Sequence, residues 1–78
     1  MRVSKDGEYE MDANLLRYHI KRNGDTHRML AMAIGIGEST LYRKLQGKDA
    51  EFTQREIKSI IERYKLTGEE VLKVFFGN

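Results

Sequence analysis

Residues 26–47 read THRMLAMAIGIGESTLYRKLQG, and the spacing of apolar and glycine residues in this stretch decides the fold. The first part places Met29, Leu30, Ala33 and Ile34 at helical intervals after a start at Asp25 or Thr26, and Gly35 ends it. The second part starts after Gly37 and runs from Glu38 to Gln46, with Leu41 and Leu45 on one face and Gly47 as a left-handed stop. Two short helices joined steeply across a glycine need a small residue where they touch, a glycine in the turn, and apolar residues on the inner face of the second helix. Ala31 meets the first need and Gly35 the second, while Ile36, Leu41 and Leu45 meet the third. On the opposite face, Glu38, Ser39, Tyr42 and Arg43 fall at i, i+1, i+4 and i+5, so a rotation of about 100° per residue gathers them into one exposed strip. The N-terminal half of a recognition helix meets base edges at such a strip.

Working outward, the first helix is expected from Asp12 to Asn23, with Asp12 as its cap and Asn23-Gly24 as its stop. Leu16 and Ile20 define its inner face, with Leu15 and His19 at the border. A fourth helix begins where Thr53 and Glu56 form a capping box, with Phe52 and Ile57 as a hydrophobic staple, and Ile57, Ile60, Ile61 and Tyr64 then repeat at helical spacing. Thr67 with Glu70, and Leu66 with Val71, repeat the device and start a fifth helix through Val71, Val74 and Phe75. None of these segments shows the sustained alternation of a strand. The expectation is an all-α, compact five-helix domain over residues 12–78, preceded by a tail at 1–11 that is frayed or turns a small hairpin at Asp6-Gly7. Met11, Met29 and Met32 are expected as core or near-core fillers.

Composition sets the outer limits. A chain of 78 residues supports one domain and excludes a large enzyme, while 40% hydrophobic and 33% charged residues exclude both a disordered chain and a membrane span. The net charge of +2 is small, but residues 17–48 hold seven bases against two acids, a local +5. Without cysteine there is no disulfide framework, no thiolate metal site and no thiol nucleophile. The longest nearly apolar run, Met29 to Ile36, is eight residues against the roughly 20 that a bilayer span requires. The lack of cysteine fits a reducing cytoplasm, which is the expected location.

The run Leu30-Ala31, Ile34-Gly35-Ile36-Gly37, Ser39-Thr40-Leu41, Lys44-Leu45 and Gly47-Lys48 resembles the lambda-repressor-like helix-turn-helix family, which includes phage Cro proteins and repressors. The resemblance covers roughly residues 12 to 76, and the ending from Phe52-Thr53-Gln54 to Val74-Phe75-Phe76 is also similar to small Cro-like proteins. Two positions depart from the family pattern: His27 stands where a glutamine commonly opens the second helix, and Glu38 where an amide often leads the recognition helix.

The resemblance implies a sequence-specific DNA-binding regulator of transcription, a repressor or similar, without a cofactor or small-molecule ligand. Glu38, Ser39, Tyr42 and Arg43 would face the major groove. There Arg43 suits guanine, Glu38 suits cytosine N4, Ser39 suits either kind of edge, and Tyr42 suits a phosphate or a thymine methyl. Tyr42 packed against the surface of the second helix is the alternative, and His27 as a plain first-turn surface residue is another. Backbone contacts would come from His27, Arg28, Thr40, Lys44, Gln46 and Lys48. A small module reads few base pairs, so a homodimer on a pseudo-palindromic operator is expected. Val74, Phe75 and Phe76 are its candidate interface, the alternative being that both phenylalanines close the core of a monomer.

Enzyme signals are weak. Gly35-Ile36-Gly37 has no strand before it and no glycine-lysine after it, and two histidines eight residues apart do not make a metal site of known spacing. The competing functional class is a protein-interaction module that uses the same fold to bind an antirepressor or antitoxin-like partner.

Overall fold

The computed structural model describes residues 11–47 and 50–76. These fold into five helices, α1 (Ala13–Arg22), α2 (His27–Ile34), α3 (Glu38–Gln46), α4 (Gln54–Tyr64) and α5 (Gly68–Phe75), with no strand among the described residues. Residues 1–10 of the expected tail or hairpin at 1–11, and the phosphate candidate Lys48, lie outside the described residues.

Local chemistry fixes the helix ends. The Asp12 carboxylate accepts from the Leu15 N–H at 3.0 Å, and the Thr26 hydroxyl accepts from the Met29 N–H at 3.0 Å. Each satisfies one of the donors that a helix start leaves without a partner, a contribution of about 1 kcal/mol. At α4 and α5 both halves of the capping box form: Thr53 and Thr67 accept from the N–H groups of Glu56 and Glu70, whose carboxylates accept in return. The two Thr67 contacts hold the Glu70 carboxyl below the usual carboxylate range, the threonine backbone N–H being the larger cause.

Leu16, Leu30, Leu41, Ile60 and Val74 are wholly removed from water, one from each helix. Burial of each is worth about 1.5–3 kcal/mol, so no helix can leave without opening the common core. Around them close Ile20, Ala31, Leu45, Tyr64, Leu66 and Phe75, with Met11, Leu15, Ile34, Ile36, Phe52, Ile57 and Val71 packed at the margin. α2 packs on both α3 and α4, and α1 packs on α5. The Asp12 N–H donates to the Val74 carbonyl at 2.6 Å and ties the start of α1 to the end of α5.

Three expectations need correction. His19 is buried, not at the border of α1, because α5 packs on that helix and its neighbours cover the ring. Met29 and Met32 stand exposed on α2 and do not fill the core. Six of that helix's eight residues are apolar, more than its inner face accommodates, and Leu30, Ala31 and Ile34 already occupy it. Val74 and Phe75 do not form a free interface: Val74 is fully buried, and Phe75 meets Phe52 edge to face at a centroid distance of 6.3 Å. The outward apolar residues near the end of the chain are Phe76, 43% exposed, and Leu72 on α5.

Candidate nucleic-acid interface

The turn between α2 and α3 is built by Gly35, whose φ of +80° lies in the left-handed region that favours glycine. Its N–H donates to the Met32 carbonyl at 3.2 Å and the Ile36 N–H donates to Ala31 at 2.9 Å, which closes α2 and reverses the chain. Gly37 then opens α3, its carbonyl accepting from the Leu41 N–H at 3.0 Å. Leu41 and Leu45 point into the core, and a helix fastened along one stripe must turn the other outward. Glu38, Ser39, Tyr42 and Arg43 are all exposed, so the four residues expected on one strip do share one.

Tyr42 has a partner from outside its own helix. Its ring stacks on the imidazole of His27, the first residue of α2, with centroids 5.0 Å apart and planes inclined by 29°. The alternative of packing against α2 is therefore realised, while Tyr42 keeps 43% of its surface in solvent. His27 is half-buried, and its Nε2 atom is enclosed without a hydrogen-bond partner among the described residues.

The residues expected along the DNA backbone divide into two groups. Arg28 and Gln46 are exposed at the start of α2 and the end of α3, and Thr40 is half-buried. Lys44 faces the protein instead. Its ammonium meets the Glu56 carboxylate at 2.5 Å and sits 5.9 Å from the centroid of the Phe52 ring, with its side chain only 10% exposed. Lys44 follows Leu41 by three residues and so stands about 60° from it around α3, at the edge of the buried stripe, where its stem borders the core and Glu56 in the first turn of α4 receives its charge. Burial alone would raise the Glu56 carboxyl, but the hydrogen bonds from Lys44 and the Thr53 N–H outweigh it and hold the group below the usual range.

One network carries no sequence signal. Asp25, just before α2, receives Arg63 on both carboxylate oxygens, at 2.7 and 3.0 Å, and the Tyr64 hydroxyl at 2.7 Å. The Arg63 guanidinium is the main reason that the Asp25 carboxyl falls to about 2, against the opposing effect of burial. Burial and the Asp25 charge together push the Tyr64 phenol well above its ordinary value, so it remains a donor. The sequence spacing is 38 and 39 residues, which no periodicity reveals.

Among the described residues, no cluster of His, Asp or Glu is placed to hold a metal ion, and no helix is long and apolar enough to cross a membrane. No family model, curated protein or solved structure matches this chain.

Proposed function

We propose that this protein is a sequence-specific DNA-binding regulator of transcription, of the lambda-repressor-like helix-turn-helix kind, that reads the major groove with α3. The observation that carries the reading is the exposed strip of Glu38, Ser39, Tyr42 and Arg43, set opposite the buried Leu41 and Leu45 and next to a glycine turn. Each of the four has base-edge chemistry: a guanidinium for guanine, a carboxylate for cytosine N4, a hydroxyl for either edge, and an aromatic ring for a thymine methyl. Arg28, Thr40 and Gln46 supply backbone contacts, with Lys48 beside them in the sequence, and the local +5 over residues 17–48 draws the phosphates in. Lys44 leaves that set because its charge is held by Glu56. Two copies act together on a pseudo-palindromic operator, with the exposed Phe76 and Leu72 as the surface that joins them. Repression in the cytoplasm of a bacterium or an infected host is the role this chemistry suits.

Fluorescence anisotropy of the purified protein on random duplex DNA at two salt concentrations, followed by sequencing of the bound fraction, tests the reading. The expected result is binding that weakens steeply with salt and a recovered motif with half-sites about one helical turn apart. Arg43→Ala should relax the preference at one base position at a cost of about 1–3 kcal/mol. Absence of binding at low salt refutes the proposal.

The exposed Met29 and Met32 favour a second reading, in which the α2–α3 surface binds a protein partner, since methionine and tyrosine are enriched where proteins meet. A shallow salt dependence and indifference to Arg43→Ala mark that outcome.

A further inference from the structure

The stack of His27 on Tyr42 joins the first turn of α2 to the middle of the exposed strip on α3. Two features of it decide what His27 does. Its rings lie 5.0 Å apart at 29°, an offset-stacked arrangement in which each fixes the plane of the other. The far nitrogen of the imidazole, Nε2, is enclosed by the protein and has no hydrogen-bond partner among the described residues, so it is not aimed outward at a phosphate.

We propose that His27 is a positioning residue: it acts on sequence preference through Tyr42, by holding that ring in one orientation on the α3 strip, rather than by touching the DNA backbone itself. This rests on the DNA-binding reading above. A tyrosine on an exposed helix face ordinarily samples several rotamers, and each must be given up when a partner docks. With one face covered by the imidazole, the Tyr42 ring is ordered before binding, and the surface it keeps in solvent stands on the strip with Glu38, Ser39 and Arg43. An aromatic edge held in that way reads an apolar feature of the groove, and the thymine C5-methyl is the one that the major groove offers. His27 thereby makes Tyr42 discriminate thymine from cytosine at one position, while the number of phosphates neutralised is unchanged.

Three variants, His27→Ala, His27→Phe and Tyr42→Ala, separate this from a direct phosphate contact. They are measured against the selected duplex and one with its thymines replaced by cytosine partners, at two salt concentrations. Thermal denaturation accompanies each measurement to verify folding. His27→Ala should lower the preference for the thymine duplex by about two- to tenfold, the size of one aromatic pair, with the salt slope unaltered. His27→Phe keeps a stacking ring without a nitrogen and should restore the preference. In the Tyr42→Ala background, His27→Ala should cost nothing more, since the residue through which it acts is gone.

The overturning result is equal loss on every duplex in both His27 variants, with the salt slope reduced by about one, which identifies His27 as a phosphate ligand. Additive losses in the double variant also overturn it. In the free protein, the ring-proton NMR shifts of Tyr42 should move in His27→Ala as the ring current of the imidazole is lost. DNA binding with those shifts unmoved defeats this proposal alone, whereas a wild-type protein that binds no duplex at low salt defeats the DNA reading and this proposal together.

Discussion

Replacing Asp25 with asparagine tests whether the network at the start of α2 contributes as the geometry indicates. The side chain of Asp25 is 4% exposed and takes three charge-assisted or hydroxyl hydrogen bonds from Arg63 and Tyr64. Its carboxyl falls from an ordinary 3.8 to about 2 in the folded protein. One pKa unit corresponds to about 1.36 kcal/mol, so the ionised carboxylate stabilises the fold by about 2 kcal/mol at neutral pH. Because the folded-state pKa is depressed, that stability is fully present above about pH 4 and fades as the pH falls through about 2. Asparagine keeps the shape and one acceptor but no charge. Asp25→Asn should therefore lose about 2 kcal/mol at pH 7, a fall in Tm of roughly 8–16 °C for a domain of this length, and the gap from the wild type should close as the pH falls from 4 to 2. Urea denaturation at pH 7, 4, 3 and 2, monitored by circular dichroism, reads the effect. A loss that is as large at pH 2 as at pH 7, or one below about 0.5 kcal/mol at pH 7, refutes the electrostatic account and leaves packing as its cause.

Leu41→Ala empties a wholly buried site on α3 and should cost about 2–5 kcal/mol in thermal or urea denaturation, with DNA binding lost in step with folding. Gly35→Ala adds a methyl group with nothing within 4 Å of it, so its cost is backbone strain at φ +80° alone, about 1–2 kcal/mol in urea denaturation, and a larger loss would mean that the α2–α3 turn is tighter than described. Lys44→Met keeps a long stem against Phe52 but removes the charge that Glu56 receives. The salt slope of DNA binding should be unchanged in that variant, and the Glu56 carboxyl should titrate at higher pH in carbon-detected NMR; a slope reduced by about one would return Lys44 to the phosphate contacts.

Helix boundaries were legible in the sequence because caps act over three or four residues. Asp12, Thr26, Thr53 and Thr67 each accept from a backbone N–H within their own first turn, and Gly35 and Gly47 close helices through a left-handed residue. The exposed strip on α3 was legible for a related reason: Leu41 and Leu45 set the inward direction, and the helical period fixes what must point away. Periodicity names a face, however, and does not name what another helix brings to it. Lys44 was expected outward among the phosphates, yet Glu56, twelve residues on, draws it in. Val74, Phe75 and Phe76 are consecutive, and a rotation of about 100° per residue cannot set all three on one face. Sequence offers all three as a candidate interface, with closure of the core by the two phenylalanines as the alternative, and the structure buries Val74 and Phe75 while leaving Phe76 outside.

Two long-range ion pairs among the described residues share one element, and this bears on how the α2–α3 unit is held. Glu56 in the first turn of α4 takes Lys44 of α3, while Arg63 and Tyr64 in its last turn take Asp25, next to the cap of α2. Glu56 and Arg63 stand seven positions apart on α4, which places the two attachments about 10 Å apart along its axis. Two attachments at that separation resist rotation as well as translation, whereas the apolar contacts of Leu30, Leu41 and Ile60 resist mainly separation. In the proposed mechanism the angle of α3 is what matters, because the base-edge contacts of Glu38, Ser39 and Arg43 depend on it to within a fraction of an ångström. α4 meets no DNA in that reading, and yet its charged ends fix the geometry with which α3 would enter the groove. In that reading Lys44 and Asp25 would act on recognition from inside the fold, because their charges are held within the protein's own framework.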